Sequence, residues 1–268
     1  MNYHDIVIVD RYESGASLSS YISTAISMIH TLRSGLHGKR AAVDLHGAKY
    51  YRDERTPPDL WSLFADPPCG VTLREAVDAN APRLYFDEPA WLAGRHNMSL
   101  PLFVNDPVGV QKLQAVVPQF LRLNRDIMLR AERLFRENNL NPALTVAVSY
   151  RGTDKYTETP ITPIENFYPR LDQLMLQPSL TIFAQCEEQS VQDLLMRRYR
   201  GRIVSLPFHR TRSASQMADG DNPKSNYDKT VDIATLIAMF SMCLNFVRNR
   251  SNLADLASGL SRGNVFCV

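Results

Sequence analysis

Four cysteines, Cys69, Cys186, Cys243 and Cys267, stand far apart in a chain of 268 residues, and no two have metal-site spacing. That excludes a zinc ribbon and a dense disulfide framework, and leaves reduced thiols as the expectation. Charge of one sign is also missing. Thirty Lys and Arg against 28 Asp and Glu leave a formal +2, which argues against a dedicated polyanion binder. Arginines do cluster at Arg197, Arg198, Arg200 and Arg202, and again at Arg210 and Arg212. On a helix end and a loop they read as a solvated face, so nucleic acid is not an expected partner. The most apolar stretch, 235–247, is about thirteen residues and carries Asn245, too short for a bilayer span. The first residues show no basic region leading into an apolar core. The expectation is a soluble, cytoplasmic chain, or a catalytic piece of a longer one.

Several chemistry-bearing motifs are missing too. There is no GxGxxG after the opening strand, where Gly15 is a lone glycine, and no GxxxxGK[ST], GxSxG or HExxH. The six histidines are dispersed, so no metal triad is expected and the metal ligand set is none. Asp219-Gly220-Asp221 has the spacing of a metal-holding carboxylate pair, but it sits in a polar loop and reads as a turn.

What is present is alternation. With 44% apolar residues the chain can bury a large core. DIVIVD (5–10) reads as a buried strand, 21–32 as a helix, and AAVDL (41–45) as the next strand, ending in Asp44 and His46. A short helix over 59–64 carries Trp61 and Phe64, and 66–106 looks loop-heavy with a short strand at 83–86. The stretch 108–139 has helical spacing, and Pro118 marks a kink or a second start. Strand 144–148 follows, then helix 164–176, strand 180–184, helix 190–199, strand 202–206, a polar loop 208–229, helix 231–240, strand 242–247, helix 253–260 and strand 264–268. Such alternation on both sides of a long helical junction predicts two doubly wound α/β domains, 1–140 and 141–268.

Ligands of open α/β sheets sit beyond the carboxyl ends of the strands. The run TVAVSYRGTDK passes from a buried strand straight into Ser149, Tyr150, Arg151, Gly152, Thr153, Asp154 and Lys155, with Glu158 just beyond. Arg151 is always charged and can hold phosphate oxygens bidentately. A carboxylate downstream could act as a general base. A second basic turn has the same form: strand residues lead into Arg248, Asn249, Arg250, Ser251 and Asn252, with Ser251 or Asn252 capping a helix. A capped helix start after a strand suits an anion. Two such turns in one domain point to a diphosphate clamp.

The segment VVPQFLRLNRDIMLRAERLFRENNLNPALTVAVSYRGTDKYTETPITPIENFY resembles the α1,6-fucosyltransferases, including the nodulation fucosyltransferases, and their protein O-fucosyltransferase relatives. In that family a long helix leads to a strand ending in H-V-R-R-T-D-K, then a T-E pair and a P-I-E helix start. Here those positions are Ser149 to Lys155, Thr157-Glu158 and Pro163-Ile164-Glu165. The turn and helix at Ser251–Ala257 are similar to the family's serine-led turn, and Asp232 matches its base-recognising aspartate. The opening Gly15 loop and the Tyr50, Leu60-Trp61 and Phe64 pattern fit more loosely.

The resemblance implies a GT-B fold, two Rossmann-like domains facing across a cleft, with nucleotide sugar on the C-terminal side and a glycan acceptor on the N-terminal side. It implies an inverting transfer that needs no metal. Arg151 would hold the β-phosphate, helped by Lys155 or the Ser251 turn, with Glu158 as base, Asp154 as a further catalytic carboxylate and Asp232 at the nucleobase. Ser149, Tyr150, Arg248, Arg250 and Asn252 complete the expected donor site. Two positions depart from the pattern: the family's guanine-reading histidine is Ser149, and its second arginine is Gly152. GDP-fucose is the first expectation for the donor. A UDP-sugar, or a binding protein that retained the fold without catalysis, are the alternatives.

Overall fold

The structure, a computed structural model, describes residues 6–11, 18–35, 40–45, 48, 51, 53–86, 104–152, 161–208 and 224–268. The first sheet is β1 (Ile6–Arg11), β2 (Arg40–Asp44) and β3 (Arg83–Phe86), in the order β2-β1-β3 and parallel throughout. Ile6, Val7, Ile8 and Val9 are all buried, as a parallel strand covered on both faces requires. On one face α1 (Leu18–Gly35) lays down Leu18, Tyr21, Ile22, Ala25, Ile26 and Ile29. On the other, Ile6, Ile8 and Ala42 meet Val71, Ala76 and Ala81 around α2 (Leu73–Asp78). This helix corrects the expectation of a plain loop there. It is nucleated by a capping box in which Thr72 and Glu75 satisfy each other's backbone N–H groups. The helix expected over 59–64 is only a 3-10 turn, Trp61–Leu63.

The helical stretch that follows is two helices. In α3 (Pro107–Phe120) Asp106 caps Gly109 and proline fills the first position; Pro118 lies in the last turn. Then α4 (Arg125–Glu137) starts afresh under Asn124, whose side chain accepts from the Ile127 N–H.

The second sheet contains β4 (Thr145–Tyr150), β5 (Thr181–Cys186), β6 (Ile203–Val204), β7 (Asn245–Arg248) and β8 (Asn264–Cys267). Its order is β6-β5-β4-β7-β8, all parallel. Between the strands run α5 (Tyr168–Met175), α6 (Gln189–Arg198), α7 (Asn226–Met242) and α8 (Asn252–Leu260). Counted within this half, the order is 3-2-1-4-5, so winding reverses between β4 and β7. The crevice of a doubly wound sheet opens at that switch point. The polar loop expected up to 229 ends earlier, because Ser225 caps α7 and Tyr51, Asp53 and Arg55 dock on the helix start. There Asp53 accepts from the Tyr227 N–H at 2.8 Å, Arg55 pairs with Asp228 at 3.0 Å, and Thr230 donates to the Tyr51 carbonyl.

Two Rossmann-like α/β lobes result. Their cores run together, since α3 packs along α8 and against α1, and α4 packs on α7. The α3–α8 crossing is close enough that Gly259 stands with no room for a side chain toward Val117. Among the described residues, no helix is long and apolar enough to cross a membrane.

Candidate active site

Strand β4 is buried from end to end and delivers Ser149, Tyr150 and Arg151 to the carboxyl edge of the sheet. Its neighbours hold that edge on both sides. From β5 the Glu187 N–H donates to the Tyr150 carbonyl at 3.1 Å, and from β7 the Asn249 N–H donates to the Ser149 carbonyl at 3.4 Å. Tyr150 packs edge-on against Phe167 with ring centroids 5.7 Å apart. Burial, and then the nearby Glu188 carboxylate, push its phenol up to about 12.

Arg151 leaves the strand with its side chain 11% exposed and its Nε 3.3 Å from the Glu187 carboxylate. Glu188, the next residue, places its carboxylate beside Gly152. Its carboxyl is raised above the ordinary range, first by burial and then by the charge of Glu187. A Cβ placed on Gly152 would come 2.4 Å from a Glu188 carboxylate oxygen and 2.9 Å from the Tyr150 hydroxyl. A side chain there, at the position where the resembled family has a second arginine, would require the Glu188 carboxylate and the Tyr150 hydroxyl to give way. The acidic pair Glu187-Glu188 was not singled out from the sequence. Strand order is the missing signal: β5 lies beside β4, so its end shares the edge.

The second basic turn divides its residues. Arg248 points inward and is fully buried; Nη2 lies 2.6 Å from Asp255 Oδ1, while Nη1 donates to the Val104 and Asn249 carbonyls at 2.8 and 3.2 Å. All these partners are protein groups, so as placed it holds the turn, not an open anion site. Arg250 is exposed. Ser251 caps α8, accepting from the Ala254 N–H at 3.1 Å, and is itself buried. Asn252 is buried in the first turn of that helix. Asp232 lies in α7 with its carboxylate between two cations, Arg130 at 2.6 Å and Lys224 at 2.5 Å.

Ser149, Tyr150 and Arg151 thus meet the turn at 248–252 across the β4–β7 switch point, whereas Asp232 is engaged by α4 and by Lys224. Asp154, Lys155 and Glu158 lie outside the described residues, as do Asp219 and Asp221. Among the described residues, no group of His, Cys, Asp and Glu is placed to hold a metal ion.

Solved structures share the fold at low identity. NodZ alpha-1,6-fucosyltransferase soaked with GDP-fucose superposes with a TM-score of 0.55 at 11% identity, over 95% of this chain and 92% of that one. NodZ from Bradyrhizobium gives a TM-score of 0.51 at 11% identity, over 95% and 93%. The fold is GT-B. POFUT1 in complex with GDP-fucose spans 98% of both chains at 11% identity with a lower TM-score of 0.46. No protein-family model and no curated protein sequence matches the chain. Within the GT-B frame, the β4–β7 crevice belongs to the second lobe, and Arg151 is the cation that its central strand brings to the edge.

Proposed function

We propose that this chain is an inverting, metal-independent glycosyltransferase that moves a sugar from a nucleoside diphosphate to a glycan hydroxyl. The observation that carries the reading is Arg151 at the end of the central strand, at the point where the 3-2-1-4-5 sheet reverses. Likeness to a GT-B enzyme soaked with GDP-fucose supports the donor class. In this reading residues 141–268 hold the nucleotide sugar and 1–140 shape the acceptor side.

The chemical problem is charge. As the bond from C1 to the leaving oxygen breaks, the sugar becomes oxocarbenium-like and negative charge grows on the departing diphosphate. Arg151 is fixed before that charge appears, and a preorganised donor of this kind is often worth ~3–4 kcal/mol of barrier. Lys155, the exposed Arg250 and the α8 start at Ser251 and Asn252 complete the proposed anion site, and Asp154 is a carboxylate of the catalytic loop beside it. Arg248 supports it from beneath. Glu158 takes the acceptor proton as the hydroxyl attacks the opposite face, which inverts the anomeric centre. Asp232 serves the nucleobase, exchanging one of its present cation partners for the ring.

Fucose from GDP-fucose is the first donor. Ser149, standing where the resembled family has a guanine-reading histidine, favours a second reading with a UDP-sugar in the same site. A thermal-shift panel of GDP, UDP and their sugars separates the two, because a ligand of the folded state raises its apparent stability. Donor hydrolysis then tests the mechanism. Arg151→Ala should abolish it, and EDTA should leave the wild type unchanged. Full activity of Arg151→Ala would overturn the assignment, and a panel with no stabilising nucleotide would favour a fold retained for binding without catalysis.

A further inference from the structure

Arg151 lies one residue beyond the last residue of β4, where the backbone ladder stops. In a parallel pair the next bond would run from the Arg151 N–H to the Asn249 backbone carbonyl. That carbonyl instead accepts from Arg248 Nη1 at 3.2 Å. The Asn249 side chain takes over. Its Oδ1 accepts from the Arg151 N–H at 3.0 Å, and its Nδ2 donates to the Arg151 carbonyl at 2.6 Å. A carboxamide has the donor and acceptor of a peptide group, so it extends the ladder by one rung while β7 turns away toward Ser251. Both backbone polar groups of Arg151 are satisfied by the side chain of one residue that is itself buried.

We propose that Asn249 is a positioning residue for the diphosphate site. It sets the direction in which Arg151 leaves the sheet, and Arg248 and Asp255 hold Asn249 from behind. The proposal rests on the transferase reading above and adds a residue that touches no substrate. Other side chains fail for definite reasons. Alanine lacks both groups, and glutamine is longer by a methylene. Aspartate keeps the acceptor but sets a carboxylate against the Arg151 carbonyl until it is protonated.

The test is calorimetric titration of GDP, with UDP as second probe, into the wild type, Asn249→Ala, Arg151→Ala and the double variant. Misplacing a contact by about an ångström can cost up to about 100-fold, and a loss of roughly tenfold is expected for Asn249→Ala. In the Arg151→Ala background the same change should cost nothing further, since residues acting through one contact are not additive. If Asn249→Ala does not fold, Asn249→Asp replaces it. Its affinity relative to wild type should recover as pH falls and the neutral acid regains the donor. Wild-type affinity in Asn249→Ala, additive losses in the double variant, or an Asn249→Asp ratio flat with pH would overturn the positioning role and leave the transferase reading standing. Undiminished binding by Arg151→Ala, or no binding of either nucleotide by the wild type, would overturn that reading and this role with it.

Discussion

Replacing Gly259 with alanine sets two physical effects against each other, and the structure decides the sign. In a helix alanine is favoured over glycine by up to about 1 kcal/mol, so propensity alone expects Gly259→Ala, in the last turn, to stabilise α8 by at most that. A Cβ there, however, would lie 2.6 Å from both Cβ and Cγ2 of Val117 and 3.1 Å from the Leu113 carbonyl. Carbon atoms rest at about 3.5–4.0 Å, so α3 and α8 must separate by roughly 1 Å. Val117 Cβ is fixed to its backbone and cannot swing aside. Overpacking of this kind costs about 1–3 kcal/mol; a central value of about 2 leaves a net loss near 1 kcal/mol after propensity. In a chain of this size that lowers Tm by roughly 2–4 °C. Thermal unfolding followed by circular dichroism measures it. Val117→Ala removes Cγ2 but not Cβ, so the double variant should lose less than the sum of the singles. A Tm equal to or above wild type for Gly259→Ala would refute the close α3–α8 crossing.

Three further outcomes follow from the site's supports. Asp255→Ala leaves the Arg248 guanidinium buried without its carboxylate and should cost about 3–5 kcal/mol in urea unfolding. Ser251→Ala removes the cap that accepts from the Ala254 N–H and should cost about 1 kcal/mol by the same measurement. Glu188→Gln bears on pH. The Glu188 carboxyl lies above its ordinary value of 4.5 in the folded state, so the native state holds the proton more tightly than the unfolded chain. Stability contributed by that group therefore falls as pH rises from 4.5 through the folded value. Glu188→Gln should raise Tm at neutral pH and lose the advantage below pH 4.5, and a constant difference across that range would contradict the burial described.

The second sheet was legible in the sequence because its strands are apolar runs and its helices have ordinary starts, such as Ser251 before the buried face of α8. Helix α2 escaped a reading based on hydrophobic period because only Ala76 of its six residues is buried. The Thr72–Glu75 spacing was the available signal. The start of α7 is polar, and its Ser225 cap and the docking of Asp53 and Arg55, contacts from the other end of the chain, place it. Asn249 reads as one more polar residue between two arginines; only the strand order puts its side chain against Arg151.

The cations show most clearly where sequence reasoning ends. Arg151, Arg248 and Arg250 are alike in type; Arg151 and Arg248 stand at the ends of apolar strands, and Arg250 follows two positions after Arg248. Folding assigns them to different environments. Arg248 has no exposure and a 2.6 Å carboxylate partner, and withdrawing a buried charge from such a partner costs several kcal/mol. No ligand recruits it without dismantling the turn. Arg250 is exposed, where ion pairs are worth little by themselves. Arg151 lies between these limits. Its side chain keeps 11% exposure and its Nε faces a carboxylate at the longer distance of 3.3 Å, on a Glu187 side chain that is 24% exposed. A diphosphate arriving there would replace one anion with another of greater charge at a guanidinium already desolvated. Of the three, only Arg151 combines partial burial, which strengthens an electrostatic contact, with side-chain exposure at which a ligand can make one.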